Sequence, residues 1–296
     1  MHTNRYLARD VSYAASASSA RGRALIRAVE NATGRLGLIR RAAGFEEQVA
    51  GGQDFWRVMM QCYGLSLKVV GGALDNIPHH GPLIVVANHP YGILDGLIMG
   101  HILSALRGDF RILANQVFAA SPDLTRVILP VSFEQTRAAV RQNLETRKSA
   151  LRYLDKGGAI GVFPGGTVAT AARPFGQPMD PVWRNFTAKM IAQSGATVVP
   201  IFFDGQNSRW FQMVSHLSPN LRLALLIREF RKRVDAPVRI VVGEPIARQD
   251  LAAHRDEPKR MMDFLRQHTY SLSPRPLDAR KFGYEFDKKH EKIRQG

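Results

Sequence analysis

The sequence PLIVVANHPYGILDG, residues 82–96, decides the fold class. Its first part, LIVVA, is apolar and rich in β-branched residues, which is typical of a strand buried on both faces. Pro90 then falls where a helix begins, because the missing N–H of a proline has no partner in a first helical turn. A buried strand that leads into a helix predicts α/β architecture and places Asn88 and His89 at the carboxyl end of that strand.

The same alternation of strand and helix continues along the chain from residue 66. Short apolar runs predict further strands at 67–70, 110–113, 127–131, 159–163, 197–203 and 238–242. Helical patterns lie between them at roughly 94–107, 134–155, 181–194 and 207–230, the last in two pieces, and at 248–270. We therefore predict one α/β domain, residues 66–271, with a mostly parallel sheet covered by helices on both faces.

Two regions of different composition flank this domain. Residues 1–65 are expected to form a basic helical N-terminal region, in which 25–43 combines an apolar helical face with several arginines. Such a helix either lies in a membrane interface or packs on the domain, and the sequence leaves both interpretations open. Asp54 is expected to cap a second helix that is apolar nearly all round. Residues 272–296 are charge-dense and are expected to form a polar, basic surface extension.

The charge balance limits the class of partner. The 296 residues hold 41 Lys and Arg against 25 Asp and Glu, a formal net charge of +16, which attracts an acidic lipid surface or a nucleic acid. The single cysteine, Cys62, excludes an internal disulfide and a multi-thiolate zinc site, and favours a reducing compartment. No apolar run reaches the roughly 18 residues of a membrane span, and the first residues lack the pattern of a secretory signal.

A histidine and an aspartate follow the central strand. His89 stands at the strand end, and a turn through Tyr91 and Gly92 can bring Asp95 back toward its imidazole ring. A carboxylate on one ring nitrogen fixes the tautomer and leaves the other nitrogen to accept a proton from a hydroxyl group. From the spacing alone, a capping histidine with a solvated aspartate is an equally good interpretation.

Two further strand ends carry polar or glycine-rich turns. The sequence AIGVFPGGTVAT, residues 159–170, ends a strand in a turn whose backbone N–H groups can approach an anionic ligand. The sequence VVPIFFDGQNSRWF, residues 198–211, ends another strand in a polar cluster. Each alone is more often an ordinary turn or helix cap, but three such ends are expected to converge in one parallel sheet, which favours a functional site. The candidate substrate-binding residues are Asn88, Asn115, Pro164, Gly165, Gly166, Thr167, Arg173, Asn207 and Arg209.

The motifs NHPYGILDG, FPGGT and VPIFFDGQNSR, in this order and at these separations, resemble those of the glycerolipid and lysophospholipid acyltransferases, most closely the branch called hemolysin-like. The resemblance covers roughly residues 66–245. It implies transfer of a fatty acyl group from a thioester, on acyl carrier protein or coenzyme A, to a hydroxyl of a lipid acceptor. No metal and no bound cofactor are implied. In that pattern His89 is the general base and Asp95 orients it, while the FPGGT turn helps to bind the acceptor or to stabilise the developing charge.

The resemblance also implies a role for the net positive charge in binding anionic partners. Lysine and arginine side chains would bind anionic lipid headgroups and an acidic carrier protein, which places the protein peripherally on the cytoplasmic face of a membrane. A nucleic-acid partner is not expected, because zinc-finger spacing, an aromatic sheet signature and heptads behind a basic region are all missing. The basic run at 222–233 and the C-terminal tail are nevertheless compatible with one.

The sequence departs from the family pattern where the acceptor would bind. Five residues separate His89 from Asp95, where the common spacing is four. The FPGGT turn has no acid in its usual place, and Val168 follows it where an arginine is usual. Asn115 stands where a basic residue is often found.

These departures weaken the expected recognition of phosphate, because arginine binds phosphate through charge-assisted and often bidentate hydrogen bonds. The expected acceptor is therefore a lyso-aminolipid or another monoacylated lipid rather than a simple lysophosphatidate. Arg173, Arg184 and Arg209 are the residues that can restore a phosphate site.

Other classes of protein fit the sequence less well. An α/β-hydrolase needs a Gly-x-Ser-x-Gly pentapeptide, and a P-loop NTPase needs a glycine pair followed by Lys and Ser or Thr; neither pattern occurs. A catalytically inactive lipid-binding relative is the remaining alternative, since the altered FPGGT turn is compatible with lost activity. The presence of both His89 and Asp95 argues against it.

Overall fold

The computed structural model describes residues 12–14, 17, 19–115, 122–132 and 136–286. Its main sheet has seven strands: β1 (Ser66–Gly72), β2 (Leu83–Ala87), β3 (Arg111–Asn115), β4 (Ile128–Val131), β5 (Ala159–Val162), β8 (Thr197–Phe203) and β9 (Pro237–Val242). A separate two-stranded antiparallel ribbon is formed by β6 (Thr170–Ala171) and β7 (Pro178–Met179). All seven strands expected from the apolar runs are present in the main sheet.

Twelve α-helices accompany the strands in the described part of the chain. The N-terminal four are α1 (Ala20–Thr33), α2 (Arg35–Arg41), α3 (Phe45–Ala50) and α4 (Phe55–Cys62). The others are α5 (Ile93–Arg107), α6 (Pro122–Thr125), α7 (Arg137–Asp155), α8 (Phe186–Ser194), α9 (Arg209–Leu217), α10 (Pro219–Arg231), α11 (Arg248–Ala252) and α12 (Pro258–Ser271). The helical pattern expected at 248–270 is therefore two helices, with α12 beginning at Pro258, a favoured first-turn residue.

The strand order explains why three motifs meet. Along the sheet the order is β1-β9-β8-β2-β5-β3-β4. Strands β8, β2 and β5 are adjacent and parallel, so their carboxyl ends lie at one edge of the sheet. The mostly parallel sheet is confirmed, with one addition: β9 runs antiparallel to β8, and β1 pairs parallel to β9.

The central strand β2 is covered on both faces. All five of its residues are fully buried. Leu83, Val85 and Ala87 belong to the core beneath the N-terminal helices, α5 and α10, whereas Ile84 and Val86 belong to the core beneath α7, α8, α11 and α12. Because β2 is buried on both faces, its sequence is a continuous apolar run.

The N-terminal helices use their apolar residues to pack on the domain. Ile26 of α1 and Leu38 of α2 are almost fully buried, and α1 lies along α10. Of the two interpretations that the sequence left open, packing accounts for this face, while Leu25 and Leu36 stay exposed. The expected cap at Asp54 is confirmed, because its carboxylate accepts a hydrogen bond from the N–H of Arg57.

Helix α4 is covered by protein. The indole ring of Trp56 lies against α5 at Gly100, where an added Cβ would come within 2.2 Å of the ring. Only a glycine allows the two helices to approach this closely. Trp56 is itself buried, so this helix contributes a wall of the core.

The C-terminal tail differs from the expected surface extension. Its described part returns to the domain: the N–H of Gly283 bonds to the carbonyl of Asp180, and the N–H of Tyr284 bonds to that of Thr170. Glu285 is buried and forms an ion pair of 2.8 Å with Arg184. A charge-dense segment packs here because its charge is paired and its backbone extends beside the β6–β7 ribbon. Residues 1–11 of the expected N-terminal region and 287–296 of the tail lie outside the described residues.

Within the described ranges, none of the helices combines the length and the hydropathy that crossing a lipid bilayer requires.

Candidate active site

The imidazole of His89 and the carboxylate of Asp95 meet at the carboxyl end of β2. Nδ1 of His89 lies 2.8 Å from Oδ2 of Asp95. The side chain of His89 is partly exposed, whereas that of Asp95 is fully buried. The other ring nitrogen, Nε2, has no partner among the described residues, so it is available to a bound molecule. The first turn of α5 therefore produces the expected pair despite the five intervening residues.

Asp95 is fixed by the backbone as well as by the histidine. Its Oδ2 accepts hydrogen bonds from the N–H groups of Tyr91 and Gly92, at 2.8 and 3.0 Å. Burial raises the pKa of the Asp95 carboxyl, and the contact with His89 and these two N–H groups oppose that rise. An aspartate held in this way fixes the imidazole orientation and stabilises its protonated form.

Other groups hold the backbone and the ring of His89. Its N–H donates to Oδ1 of Asp180 at 3.2 Å, and its carbonyl accepts from the N–H of Ala169 at 2.7 Å. The ring stacks on that of Phe163, the first residue of the FPGGT motif, with centroids 4.5 Å apart. Asp180 is fully buried and also accepts from the indole N–H of Trp183 at 2.9 Å. The first two motifs are thus in direct contact.

His89 opens onto a cavity of about 350 Å³. Much of the cavity lining is apolar and comes from the N-terminal helices, α5, β3, β4 and α10. These apolar residues include Phe55, Trp56, Met59, Leu97, Ile112, Leu113, Leu124, Ile128, Leu223, Leu226 and Phe230. A cavity with this lining and a histidine at its wall has the character of a site for an apolar chain that carries a reactive polar group.

Three of the nine candidate substrate-binding residues line this cavity with His89. They are Asn115 at the end of β3, and Gly166 and Thr167 in the FPGGT turn. Gly166 has a left-handed backbone with φ of +67°, and its N–H closes the turn onto the carbonyl of Phe163. The hydroxyl of Thr167 accepts a hydrogen bond from Arg222 at 2.9 Å.

Three other candidates hold the framework of the site. The side-chain amide of Asn88 exchanges two hydrogen bonds with the backbone of Phe203, at 2.7 and 3.1 Å, and so joins the ends of β2 and β8. The carbonyl of Pro164 accepts from the N–H of Arg184, and Gly165 lies against the side chain of Asp180. The contacts that these three residues make in the structure are intramolecular and hold the strand ends together.

The last three candidates lie outside the cavity. Arg173 is exposed in the turn between β6 and β7, and Arg209 is exposed at the start of α9. Asn207 is buried, and its side-chain nitrogen has no acceptor among the described residues. The helix cap at this point is Ser208, whose hydroxyl accepts from the N–H of Phe211. The sheet brings together the ends of β2, β5 and β8, but the third motif closes the framework rather than lining the cavity.

Two cavity residues that form hydrogen bonds with the motifs of the site escaped prediction. Tyr13 reaches the site from the N-terminal segment: Glu30 binds its backbone N–H, and its hydroxyl accepts from the N–H of Ile93 at 3.2 Å. Burial raises the pKa of this hydroxyl. Arg222 on α10 is buried at the cavity, although the basic run 222–233 was compatible with a nucleic-acid partner. Nothing in the local sequence points to Tyr13.

The rest of that basic run is engaged within the protein. Arg228 and Lys232 form ion pairs with Glu229, and Arg231 lies near the carbonyl of Thr33. The guanidinium of Arg233 lies over the ring of Tyr91. The pattern that was compatible with a nucleic-acid surface is therefore largely a set of intramolecular contacts.

Comparison with known proteins gives consistent results. A family model described as acyltransferase matches residues 45–280. The chain is 24% identical over 228 residues, 75% of its length and 78% of the relative's, to a lyso-glycine lipid O-acyltransferase of Phocaeicola vulgatus. It is also 24% identical over 229 residues, 75% of its length and 80% of the relative's, to a protein of the same description from Bacteroides thetaiotaomicron.

A solved structure shows a weaker likeness. The 1-acyl-sn-glycerophosphate acyltransferase PlsC of Thermotoga maritima matches with 19% sequence identity and a TM-score of 0.44, over 84% of each chain.

Proposed function

The chain belongs to the glycerolipid and lysophospholipid acyltransferase family, and on that premise we propose that it transfers a fatty acyl group from an acyl thioester to the hydroxyl of a lyso-lipid. One observation carries the proposal. Nδ1 of His89 lies 2.8 Å from the buried carboxylate of Asp95, and the same imidazole faces an apolar cavity. This arrangement fits the activation of a lipid hydroxyl in a water-poor environment.

In the proposed reaction His89 acts as general base. Nε2 of His89 takes the proton of the acceptor hydroxyl while the hydroxyl oxygen attacks the thioester carbonyl. The Asp95 carboxylate stabilises the imidazolium that forms. The tetrahedral intermediate then collapses, the C–S bond breaks, and the imidazolium returns its proton to the leaving thiolate. The products are an acylated lipid and a free thiol, and no covalent enzyme intermediate is needed.

We place the acyl chains in the apolar part of the cavity. Phe55, Trp56 and Leu97 belong to this part of its lining. The donor is an acyl thioester on acyl carrier protein or coenzyme A, and we take both as candidates. An assay with both thioesters of one fatty acid decides between these two carriers.

For the acceptor, we propose a lyso-aminolipid. Two relatives carry the description lyso-glycine lipid O-acyltransferase, and the FPGGT turn here lacks the acid and the arginine of the usual motif. Of the residues that could restore a phosphate site, Arg184 is paired with Glu285 and the other two are exposed away from the cavity. This supports an acceptor other than a simple lysophosphatidate.

We propose that the reaction takes place on the cytoplasmic face of an anionic membrane, with the protein bound peripherally. Leu25 and Leu36 are exposed on α1 and α2, close in sequence to the exposed Arg21, Arg23 and Arg40. Exposed leucines insert among lipid headgroups, and each nearby basic residue adds about 1 kcal/mol of attraction to an anionic surface. Binding to vesicles that contain phosphatidylglycerol, with loss at high salt, tests this part.

The decisive test is acyl transfer by the purified protein. We expect incorporation of a radiolabelled palmitoyl group into lyso-ornithine lipid or a hydroxyacyl-glycine from palmitoyl-acyl carrier protein or palmitoyl-coenzyme A, with less transfer to lysophosphatidate. A clear preference for lysophosphatidate would refute the proposed acceptor class. In cells, lipid mass spectrometry of a deletion strain should show one diacylated lipid lost and its lyso form accumulated.

A further inference from the structure

The cavity contains one charged side chain that the proposed reaction does not use. Among the described residues that line it, Arg222 is the only Asp, Glu, Lys or Arg. Its residue exposure is 6%, and its guanidinium forms no ion pair with a carboxylate of the described residues. A buried charge without a counter-charge is costly, so an arginine in this position calls for an explanation.

The protein satisfies the guanidinium only in part. Nη2 donates to the hydroxyl of Thr167 and to the carbonyl of Val168, each at 2.9 Å, and lies 3.4 Å from the hydroxyl of Thr170. The Nε atom has no acceptor among the described residues. The ring of Phe286 lies 4.3 Å from the guanidinium carbon and supports it from the C-terminal tail. The guanidinium of Arg222 therefore keeps an unused hydrogen-bond donor and a positive charge that no described carboxylate neutralises.

The charge persists at physiological pH. Burial lowers the pKa of Arg222 to about 10, which still leaves the guanidinium protonated near pH 7. Thr167 adds a second donor, because its oxygen accepts from Arg222 and no described residue accepts its hydroxyl proton. Thr167 also belongs to the turn that begins at Phe163, on which the His89 ring stacks. The cation and the hydroxyl are thus held in the same cavity as the proposed base.

A second buried arginine, which does not line the cavity, differs from Arg222 in its carbonyl contacts. Arg266 on α12 donates to the carbonyls of Ala279, Lys281 and Asp180 and lies over the rings of Tyr270 and Phe282. It ties the tail to the domain and does not line the cavity. Arg222 has fewer carbonyl partners, and its surroundings open onto the site of the proposed chemistry.

We propose that Arg222 and Thr167 bind the carboxylate headgroup of the lyso-lipid acceptor while the acceptor hydroxyl faces His89. The inference rests on the proposed function and deepens it. It assigns the acceptor site to α10 and the FPGGT turn, not to the arginine that usually follows that turn. It also defines the acceptor as a monoacylated lipid that carries one negative group within reach of its free hydroxyl.

The test compares two acceptors that differ only in charge: N-(3-hydroxypalmitoyl)glycine and its methylamide. We expect the wild-type protein to favour the carboxylate in kcat/KM by about 10- to 100-fold, which a charge-assisted hydrogen bond supplies. In Arg222→Met this preference should fall to within about threefold. Arg222→Lys keeps the charge without the planar geometry and should retain part of the preference. Equal use of the two acceptors by the wild type would overturn the inference.

A matched variant controls for movement of the tail. Arg184 also contacts the tail, through Glu285, the residue next to Phe286. Arg184→Met should loosen the tail and leave the preference for the carboxylate unchanged. An equal loss of preference in Arg184→Met and Arg222→Met would show that tail packing is responsible, and would overturn the assignment to the guanidinium.

The phosphate of the donor is the other anion that Arg222 could meet. Palmitoyl-N-acetylcysteamine is a thioester without phosphate, and the effect of Arg222→Met should be the same with it as with palmitoyl-coenzyme A. A loss confined to the phosphate-bearing donor would assign the site to the donor and refute our inference.

Binding separates this inference from the proposed function. Trp56 lines the cavity, so tryptophan fluorescence can report the dissociation constants of the glycine acid and its methylamide without turnover. A preference of about tenfold or more for the acid, lost in Arg222→Met, would support the anion site even if the wild type transferred no acyl group. Equal binding with normal transfer would leave the acyltransferase proposal standing and refute the role of Arg222.

Discussion

The proposed base and the proposed anion site reach the same cavity by different routes. His89 and Asp95 belong to one strand-to-helix turn, so their contact is set by a local segment of seven residues. Arg222 comes from α10, more than a hundred residues later, and Phe286 supports it from the tail. The difference indicates that the chemistry is encoded locally and the selection of the acceptor by long-range packing. Substitution of His89 or Asp95 should lower turnover with every acceptor, whereas substitution of Arg222 should change the choice among acceptors.

The largest expected effect is that of His89→Ala. Removal of a general base should lower kcat by roughly a hundred- to ten-thousand-fold with anionic and neutral acceptors alike. His80→Ala is the matched control, because His80 is exposed before the amino end of β2. Steady-state assays of both variants, with circular dichroism to verify folding, make the comparison. Full activity in His89→Ala would remove the mechanism altogether.

Asp95→Asn should cost less, about 10- to 1,000-fold in kcat. An amide still accepts the N–H bonds of Tyr91 and Gly92 through its oxygen, but it cannot stabilise an imidazolium by charge. Asp250 offers a control, since it lies in the first turn of α11, as Asp95 lies in that of α5, but is exposed. If Asp250→Asn and Asp95→Asn lost activity equally, the effect of Asp95 would reflect helix capping alone.

His89 and Asp95 also show how much of the site could be predicted from the sequence. The seven strands follow from apolar runs, and the meeting of His89 and Asp95 follows from a strand end joined to a helix start, because both are local. The antiparallel direction of β9 and the packing of the tail depend on contacts between distant segments. No periodic pattern along the chain encodes such contacts.

Arg222 was missed for a different reason. The net charge of a run says nothing about which of its members are buried. The register of α10 does hold a signal: Arg222, Leu225, Leu226 and Glu229 recur at helical spacing, and all four are buried. A charged residue on the apolar face of a helix is the sequence feature that marks this site.

Gly166→Val tests the FPGGT turn, which contacts His89 through Phe163 and Arg222 through Thr167. With φ of +67°, the position is strained for a β-branched residue, and the added side chain enters the cavity lining. We expect about a tenfold loss of kcat/KM, most of it in the KM of the acceptor. Gly157 also has a positive φ but precedes β5 at the other end of the sheet. Gly157→Val should therefore lower thermal stability without this change in KM.

Tyr13→Phe should have a smaller effect. It removes the acceptor for the Ile93 N–H at the start of α5, and a buried N–H left unsatisfied costs about 1–3 kcal/mol. Because this turn carries Asp95, kcat should fall by a few fold as the free energy of unfolding decreases. Tyr63 also lines the cavity, but its hydroxyl has no partner among the described residues. Tyr63→Phe should therefore be neutral in urea denaturation, and equal losses in both variants would contradict the proposed role of Tyr13.

The smallest effect is expected for Arg173→Ala, the counterpart of Arg222→Met. Both positions hold an arginine that sequence reasoning can link to an anionic acceptor, but Arg173 is exposed in the β6–β7 turn and Arg222 is buried at the cavity. An exposed side chain with no cavity contact contributes little, so kcat/KM for the glycine acid should change by less than about twofold and stability by less than about 0.5 kcal/mol. A loss in Arg173→Ala as large as that in Arg222→Met would mean that the acceptor headgroup lies over the β6–β7 turn. That result would refute the assignment of acceptor selection to Arg222, a buried residue distant in sequence from the catalytic pair.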